Sequence, residues 1–545
     1  MILFLVLWFG SLEFRDLMDP DEGRYAEIPR EMIATGDWVT PRLNGLKYLE
    51  KPPLQYWITA IAYRIFGIEG WVARLWPALA GLLGAWLVFI AGSRLYDRRI
   101  GGLAALMLLG MTCYVLFAHI LTLDMSVTLF MSATFLAITV AQRDGADDAE
   151  RRRWMLLAWA AAGAAVLAKG LIGIVLPAAA MGAYVLAHRD FQLLRRLYIA
   201  PGLALLLVIC VPWFALVSAR NPEFARFFFW HEHFERFLFR GHGRSGPWWY
   251  FVPILAIGAM PFLGLLAWSA PRWWRESAGR TFQHGRFLAL SAVIVFVFFS
   301  ASSSKLPAYI LPMFPVMALL MARDVDAVPP RTLAALLGIW SPLTVLAAWA
   351  IPLASDRVHI AGFADYFRNY VPWLEAGLGL FAVGLLASAV AALRGKRVAA
   401  IATASAVNLT AATLGLMGSQ TLSALYSTEQ SYHQIVTDLA DAQPGTPFYS
   451  VRMFDHSLLF KLRRPVILVE YRDELDLGLR ADPQKGIATI AEFRKRWRDA
   501  DDAFAIMRPD TYAALAREGL PMYLLSKDPR HVLVRRRPPA NLKQR

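Results

Sequence analysis

Acidic residues crowd one short stretch near the start of the chain, directly after an apolar run. The stretch "LMDPDEGRYAEIPREM", residues 17–32, contains Asp19, Asp21, Glu22, Glu27 and Glu31. Carboxylates act as general acids or bases and bind cationic groups, and they are costly beside lipid. Glu27 and Glu31 are four residues apart, so we expect them to form a solvated face of a helix.

The start of a helix accounts for part of this stretch. Asp19 fits the N-cap position, Pro20 the first helical position and Glu22 the third, which is a capping-box pattern. Asp21 gains from the helix dipole but has no capping role. We therefore take Asp21 as the candidate catalytic carboxylate.

Charged residues in two further segments allow both a structural and a functional interpretation. In "LEKPPLQYW", Glu50 and Lys51 could form a surface ion pair. Alternatively, Lys51 could hold a phosphate and leave Glu50 for a metal or a substrate amine. In "HILTLDMSVTL", Asp124 fits either a helix N-cap or a second catalytic carboxylate.

Cations and aromatic residues continue in three later turns. Lys169 in "AVLAKGLIG" could extend to the lipid interface or bind a lipid phosphate, and "SSSKLPAYILP" adds Lys305 and Tyr309. The stretch "FARFFFWHEHFERFLFRGHGR" contains His231 and Arg236. Its "HEH" is at best half of a zinc site, and an interfacial aromatic loop with solvated histidines explains it equally.

The composition indicates the elements that must position these residues. Of 545 residues, 57% are hydrophobic and 18% charged, which is typical of a polytopic membrane protein. The run Met1–Phe9 spans about 15 Å and is too short to cross a core of about 30 Å, so we expect further residues upstream. Counting that run gives about thirteen transmembrane helices, the others near 71–93, 101–121, 124–141, 154–169, 171–187, 197–218, 249–269, 287–302, 307–322, 332–353, 374–393 and 398–418.

The distribution of charge predicts the orientation. Most of the excess positive charge of +14 lies in short loops between spans, which indicates a cytoplasmic face rather than nucleic-acid binding. The long loops 10–70 and 219–248 then lie on the outer face. Within the first of these, apolar residues after Pro53 recur with helical spacing, which predicts an amphipathic helix on the outer interface. Cys113 and Cys210 lie inside apolar spans and indicate neither a disulfide nor a metal site.

The composition changes near residue 425. Short apolar runs such as "PVILVEY" and "AFAIM" alternate with helical patterns, which predicts a soluble α/β domain. We therefore divide the chain into a transmembrane domain, 1–424, and a C-terminal domain, 425–545. An odd number of spans places this second domain on the outer face. The sequence contains neither a Walker loop nor a dinucleotide fingerprint, so we expect no nucleotide cofactor.

Acids and phosphate-binding cations thus gather on one face of the membrane. This arrangement suits an enzyme that acts on a membrane lipid whose phosphate lies at the outer surface. A lipid transporter or flippase would instead show polar residues in mid-membrane and inverted repeats. A structural or scaffolding protein would have no need of clustered acids.

Taken together, six stretches resemble the aminoarabinose transferases of Gram-negative bacteria. These are "DPDEGRYAEIPREM", "LEKPPLQYW", "LTLDMS", "LAKGLIG", "FWHEHFERF" and "SSSKLPAYILP". That family belongs to the C-type, polyprenyl-phosphate-dependent glycosyltransferases and is related to protein O-mannosyltransferases. The short first span departs from the family pattern.

The resemblance implies a reaction and a site. The enzyme would move 4-amino-4-deoxy-L-arabinose from undecaprenyl phosphate to lipid A phosphates on the periplasmic side of the inner membrane, as a monomer and without a nucleotide sugar. Asp21 and Asp124 would be the catalytic acids. The polyprenyl phosphate would be held by Lys51, Arg236, Lys169, Lys305 and Tyr309. Glu50 and His231 would hold a divalent metal, zinc in the first instance. A sister enzyme that moves another sugar, such as a protein O-mannosyltransferase, is the nearest alternative.

Overall fold

Helices form most of the structure, a computed structural model that describes residues 2–235, 246–275, 281–355, 363–428, 443 and 445–538. The first part of the chain contains α1 Ile2–Gly10, α2 Asp21–Thr35, α3 Leu54–Phe66, α4 Gly70–Leu95, α5 Arg98–Leu109, α6 Thr112–His119, α7 Asp124–Ala141, α8 Asp148–Lys169, α9 Ile172–His188 and α10 Ile199–Arg220. A π-helix follows at Arg226–Glu235. The rest of the helical region contains α11 Phe251–Gly258, α12 Leu263–Ser269, α13 His284–Ala301, α14 Met313–Asp324, α15 Pro330–Gly338, α16 Trp340–Ser355, α17 Phe363–Leu393, α18 Arg397–Gly418 and α19 Ser423–Tyr426.

Seven helical segments in the described ranges are long and apolar enough to cross a membrane. They are Gly70–Leu95, Asp124–Ala141, Ile199–Arg220, His284–Ala301, Pro330–Leu353, Ala364–Leu393 and Arg397–Tyr426. Two bent pairs, α5 with α6 and Phe251–Gly258 with Leu263–Arg272, raise the number to nine if each pair is one span. The polytopic membrane fold is confirmed, whereas the count of about thirteen stays a prediction.

The bend between α5 and α6 leads the chain to the outer turn that precedes Asp124. The two helices differ in direction by 65°. Gly110, between them, lies against α18, and a Cβ there would come within 2.5 Å of the Cα of Ser405. Glycine allows this close approach because it lacks a side chain.

The outer loop between α1 and α4 contains α2, a short hairpin and α3. The hairpin strands, β1 Arg42–Leu43 and β2 Leu46–Lys47, are joined by Asn44 and Gly45, both with positive φ. Asn-Gly suits such a tight turn because both residues tolerate this conformation.

The predicted amphipathic helix is α3, and its polar side faces the protein. Gln55 and Thr59 are buried, whereas Ile61 and Ile65 are 51% and 67% exposed. An exposed apolar stripe beside membrane spans is what an interfacial helix requires.

The C-terminal domain is an α/β unit with a six-stranded sheet. Its strands are β3 Phe448–Val451, β4 Ile467–Val469, β5 Gly486–Ile487, β6 Phe504–Met507, β7 Tyr523–Lys527 and β8 Val532–Arg535. They lie in the order β5-β4-β3-β6-β8-β7, in which β5, β4, β3 and β6 are parallel, β8 is antiparallel to β6, and β7 is antiparallel to β8. Its helices are α20 His456–Leu462, α21 Asp476–Ala481, α22 Ile490–Asp499 and α23 Pro509–Arg517. The predicted α/β fold is confirmed, while the boundary at residue 425 stays a prediction.

The C-terminal domain packs directly on the outer loop. One apolar core contains residues of both, and the rings of Tyr63 and Phe460 lie 6.1 Å apart. Gly23 of α2 touches α20 so closely that a Cβ would lie 2.5 Å from the backbone nitrogen of Ser457. The amide of Asn44 donates to the carbonyl of Val466 at 2.9 Å and accepts from its N–H at 2.7 Å. These contacts hold the domain against the start of α2.

Candidate active site

The start of α2 differs from the predicted capping box. The helix begins at Asp21, and Pro20 occupies the N-cap position without a side-chain capping bond. Asp19 instead accepts a hydrogen bond from the backbone N–H of Ser457 in the C-terminal domain, at 2.8 Å. The capping-box interpretation of Asp19 and Glu22 is therefore wrong, because Pro20 is the N-cap and Asp19 binds the C-terminal domain instead of capping the helix.

Glu22 lies in a buried ion cluster with two arginines. Arg15 donates to its two carboxylate oxygens at 2.6 and 2.7 Å, and Arg74 donates to both at 2.9 Å. The backbone N–H of Leu121 adds a fifth hydrogen bond at 2.9 Å, and that of Met18 a sixth at 3.1 Å. Burial alone would raise the pKa of Glu22, but the two guanidinium groups hold it well below its usual range.

Glu27 and Glu31 are buried, so the prediction of a solvated face is wrong. Their exposed fractions are only 1% and 4%. Arg30 donates to both oxygens of Glu27 at 2.6 and 2.7 Å, and Glu31 accepts from the backbone N–H of Gly45 at 2.9 Å. Burial nevertheless raises the pKa of Glu27 to about 8. Both acids face the hairpin and α3 rather than solvent, which explains the failure of the surface interpretation.

Asp21 is the accessible acid of α2. Its side chain is 34% exposed and accepts a hydrogen bond from Arg24 at 3.1 Å. The other arm of Arg24 binds Glu474 of the C-terminal domain at 2.6 Å, and His456 contacts the same Glu474 carboxylate. The C-terminal domain thus reaches Asp21 through one buried arginine.

Tyr25 lies among the predicted acids. It is buried, which raises its pKa, and the carboxylates of Asp21, Glu50 and Asp124 raise that pKa further against the opposing effect of Arg24. Its ring centre is 6.2 Å from that of Tyr56. Three predicted site carboxylates therefore act electrostatically on one buried phenol.

Sequence reasoning did not identify Arg24 and Tyr25 as site residues. Their one available signal was the position next to Asp21 in "DEGRY", where Arg24 is three residues further along the helix.

Asp124, Lys169 and Tyr309 lie together. Asp124 is the first residue of α7, is 6% exposed and forms an ion pair with Lys169 at the end of α8. The helix N-cap is Leu123, so the capping interpretation of Asp124 is wrong. The Lys169 ammonium also lies 4.6 Å from the centre of the Tyr309 ring. These contacts join two predicted phosphate-binding residues to a predicted catalytic acid.

Lys51 is bound chiefly to Glu232 rather than to its neighbour in the chain. The ammonium lies 2.7 Å from Glu232 and 3.8 Å from Glu50. The side chains of Lys51 and Glu50 are each 15% exposed, so this is not a solvated surface pair. Burial raises the pKa of Glu50, and the Glu232 carboxylate adds to that rise. A phosphate that binds Lys51 must therefore compete with Glu232.

Lys305 and Arg236 are the two remaining predicted phosphate ligands, and only Lys305 lies among the described residues. The buried ammonium of Lys305 donates to the backbone carbonyls of Ser300 and Ser302 at 2.7 and 2.8 Å, where α13 ends. These bonds stabilise the helix end, because its last carbonyls lack intrahelical partners. Arg236 lies outside the described residues.

The predicted metal site has no complete ligand set. Among the residues that the structure describes, no group of three or more His, Cys, Asp or Glu side chains is placed to hold a metal ion. The Nδ1 atom of His231 is 2.6 Å from Glu235, on the same π-helix. Glu50 and His231 do line one cavity, but the described donors do not fit the metal.

That cavity lies where the start of α2, the segment 222–235 and the C-terminal domain meet, and its volume is about 1290 Å³. Its acidic lining residues are Asp19, Glu50, Glu223, Glu232, Glu235, Asp473, Glu474 and Asp476. Its basic ones are Arg24, Arg226, His231, His456, Arg480 and Arg530. Aromatic side chains including Trp230 and Tyr471 complete the wall. Such a mixed polar and aromatic lining suits a hydroxyl-rich ligand that carries charges of both signs.

Two known families match separate parts of the chain. Residues 432–536 match the aminoarabinose transferase C-terminal domain. Residues 50–215 match the dolichyl-phosphate-mannose-protein mannosyltransferases. The two matches lie on either side of the cavity-forming segment 222–235.

Individual proteins that are similar to this chain are also aminoarabinose transferases. An undecaprenyl phosphate-alpha-4-amino-4-deoxy-L-arabinose arabinosyl transferase from Edwardsiella ictaluri is 34% identical over 64% of this chain and 65% of its own length. One from Aeromonas hydrophila is 34% identical over 59% of this chain. The chain thus spans 65% and 58% of the lengths of these two relatives.

The crystal structure of ArnT from Cupriavidus metallidurans bound to undecaprenyl phosphate superposes with a TM-score of 0.92 and 38% identity, over 98% of this chain and 97% of that one. Its apo structure gives a TM-score of 0.91.

Proposed function

Because this chain belongs to the aminoarabinose transferase family, we propose that it transfers 4-amino-4-deoxy-L-arabinose from undecaprenyl phosphate to the phosphate groups of lipid A. One observation carries the proposal: the fold matches, along 98% of the chain, that of a relative crystallised with undecaprenyl phosphate. The sugar arrives already activated on its carrier, so the reaction needs no nucleotide.

The transfer is a substitution at the anomeric carbon of the donor sugar. An oxygen of the lipid A phosphate forms the new bond, and the bond between that carbon and the carrier phosphate oxygen breaks. The electron pair leaves with undecaprenyl phosphate. Direct displacement inverts the configuration of the anomeric carbon.

Cations at the outer face support departure of the carrier. Negative charge develops on the leaving phosphate, and positioned cations stabilise it most in a water-poor site. Lys51 fits this role because its largely buried ammonium contacts Glu50 and Glu232, two acids that line the cavity. Arg236 is proposed as a second cation on the family resemblance alone. Lys169 and Tyr309 add a polar contact next to Asp124.

Asp21 acts on the acceptor or on the amino group of the donor. A lipid A phosphate is already anionic at neutral pH, so the acid need not remove a proton completely. Its roles are to orient the acceptor, to take a residual proton or to bind the donor amine. The 34% exposure of the carboxylate gives a substrate access, and Arg24 holds its orientation. Asp124 is already paired with Lys169, and its carboxylate acts electrostatically on Tyr25.

We propose that the site lies on the periplasmic side of the inner membrane. The basic short loops predict the cytoplasmic face, and the loop that carries Asp21, against which the C-terminal domain packs, is predicted on the other face. We further propose, on the family resemblance alone, that the chain acts as a monomer.

Mass spectrometry of lipid A from isogenic cells with and without the protein tests the proposal. The expected result is a pentosamine attached to lipid A phosphate only when the wild-type protein is present. Unmodified lipid A together with hexose on secreted proteins would favour a mannosyltransferase-like activity, for which the match to residues 50–215 is the supporting observation. Movement of lipid between leaflets without a covalent change would favour a flippase.

A further inference from the structure

The two outer segments that carry Asp21 and Asp124 are joined by one buried carboxylate. Glu22, next to Asp21, receives six hydrogen bonds, and one comes from the backbone N–H of Leu121, three residues before Asp124. Arg15, bound to Glu22, also donates to the carbonyl of His119 in the same turn at 2.8 Å. The cluster thus contacts the backbone at two points of the turn that leads to Asp124.

The same cluster is anchored to the membrane domain. Arg74, 0% exposed on α4, donates to the backbone carbonyls of Leu12, Arg15 and Asp16 at 2.7–2.8 Å, besides its bonds to Glu22. His119, which is also buried, contacts the carbonyl of Trp8 through Nε2 at 2.7 Å. A segment before α2, the membrane helix α4 and the turn before α7 therefore meet at one carboxylate.

We propose that Glu22, with Arg15 and Arg74, is a positioning group that sets the placement of Asp21 relative to Asp124. This inference rests on the proposed transferase function. Neither the cluster nor its hydrogen bonds would need to touch substrate. A displacement of about 1 Å between reacting groups can reduce a rate on the order of a hundredfold. Because the Glu22 cluster fixes the separation of Asp21 and Asp124, its loss would lower kcat and leave the affinity for the donor unchanged.

Glu27 provides a matched control for folding effects. It lies on the same helix, is equally buried and is also held by two hydrogen bonds from one arginine. Its arginine, Arg30, lies on α2 itself, and neither group bonds to the turn 119–124 among the described contacts. A purely structural role predicts similar consequences for Glu22→Gln and Glu27→Gln.

The test uses the purified full chain in a membrane mimetic. For Glu22→Gln we expect kcat to fall at least tenfold, with the Kd for undecaprenyl phosphate within twofold of wild type. For Glu27→Gln we expect the kcat of the folded protein to stay within twofold. Hydrogen exchange adds a readout independent of catalysis: peptides covering 119–124 should exchange faster in Glu22→Gln alone, because the Leu121 N–H loses its charged acceptor.

The outcomes separate this inference from the proposed function. Wild-type protein that transfers no aminoarabinose would refute the function, whereas the exchange of peptide 119–124 would still report on the positioning contact. Equal kcat values for the two folded variants, or unchanged exchange at 119–124, would overturn the positioning role.

If Glu22→Gln fails to fold, the double variant Glu22→Gln with Arg15→Gln removes the charge together with one partner. Arg74 then keeps its three backbone acceptors. We expect the same loss of turnover with retained donor binding. Wild-type turnover in this variant, or loss of fold in both variants, would show that the cluster serves stability alone.

Discussion

Release of Lys51 from Glu232 should increase the affinity of the protein for undecaprenyl phosphate. Their side chains are 15% and 4% exposed and meet at 2.7 Å, so a phosphate that uses Lys51 must first displace the Glu232 carboxylate. The variant Glu232→Gln keeps the size of the side chain and removes the competing charge. The expected effect is tighter binding of the carrier, not weaker.

The size of the effect follows from the geometry of the pair. At 2.7 Å the gross attraction is about 6 kcal/mol at an effective dielectric constant of about 20. Desolvation offsets most of this, and hydrogen bonds to charged groups contribute a net of about 1.5–3 kcal/mol. Glu50 remains 3.8 Å from the ammonium and still competes with a phosphate for it, so the lower end of that free-energy range applies. A gain of about 1.5 kcal/mol corresponds to a roughly tenfold lower Kd.

Titration of undecaprenyl phosphate into the full chain measures the Kd for wild type, Glu232→Gln, Lys51→Ala and their combination. Lys51→Ala should weaken binding, and it should also abolish the gain from Glu232→Gln. Asp502→Asn is the control, since Asp502 meets Arg535 at the same 2.7 Å with similar burial in the C-terminal domain. An unchanged or higher Kd in folded Glu232→Gln, or a gain that survives Lys51→Ala, would refute the reasoning.

Three further predictions concern the α2 acid and the C-terminal domain. Asp21→Asn should abolish transfer in a protein that still folds and binds the carrier, and near-normal lipid A modification in cells would contradict its assignment. Glu474→Gln should lower kcat about tenfold without changing donor binding, because Arg24, which holds Asp21, loses the nearer of its two charged partners; equal turnover in a kinetic assay would count against this coupling. Burial alone would lower the pKa of His531, but the carboxylates of Asp455 and Asp528, 3.0 and 3.1 Å from its two ring nitrogens, raise it to about 9. That shift contributes about 3 kcal/mol below pH 6.5 that is lost as the pH rises through about 9, so Tm of wild type, but not of His531→Gln, should fall steeply across that range.

The local sequence pattern was sufficient to predict helices and strands in which one face is apolar and the other polar, or which are apolar throughout. The spacing of apolar residues after Pro53 predicted α3, and its exposed stripe of Ile61 and Ile65 matches the predicted interface. Short β-rich runs after residue 425 predicted strands that the sheet contains, such as Ile467–Val469 and Phe504–Met507. In both cases the physics that forms the element acts between residues close in the chain.

The local sequence pattern did not predict the contacts of charged side chains whose partners are far away in the chain. The capping box at the start of α2 had the right residue types, yet the carboxylate of Glu22 pairs with Arg74, 52 residues away, and with the Leu121 N–H, 99 residues away. Ion pairs that are removed from water need several hydrogen bonds to offset their desolvation, and this cluster supplies six. No spacing rule within a helix contains that information. The cavity could not be predicted for the same reason, since its walls come from three separate parts of the chain.

Burial and hydrogen bonding distinguish Asp21 from the other three carboxylates of α2. Glu22, Glu27 and Glu31 are at most 4% exposed, and each already accepts hydrogen bonds from arginine or backbone groups. A substrate could reach them only by displacing those partners, which would leave buried charges unpaired at a cost of several kcal/mol. Asp21 alone among the four combines 34% exposure with a single arginine contact in the structure described. The candidacy of Asp21 therefore depends on the partners of the other three acids, and those of Glu22 and Glu31 lie outside α2 and could not be read from the sequence of that helix alone.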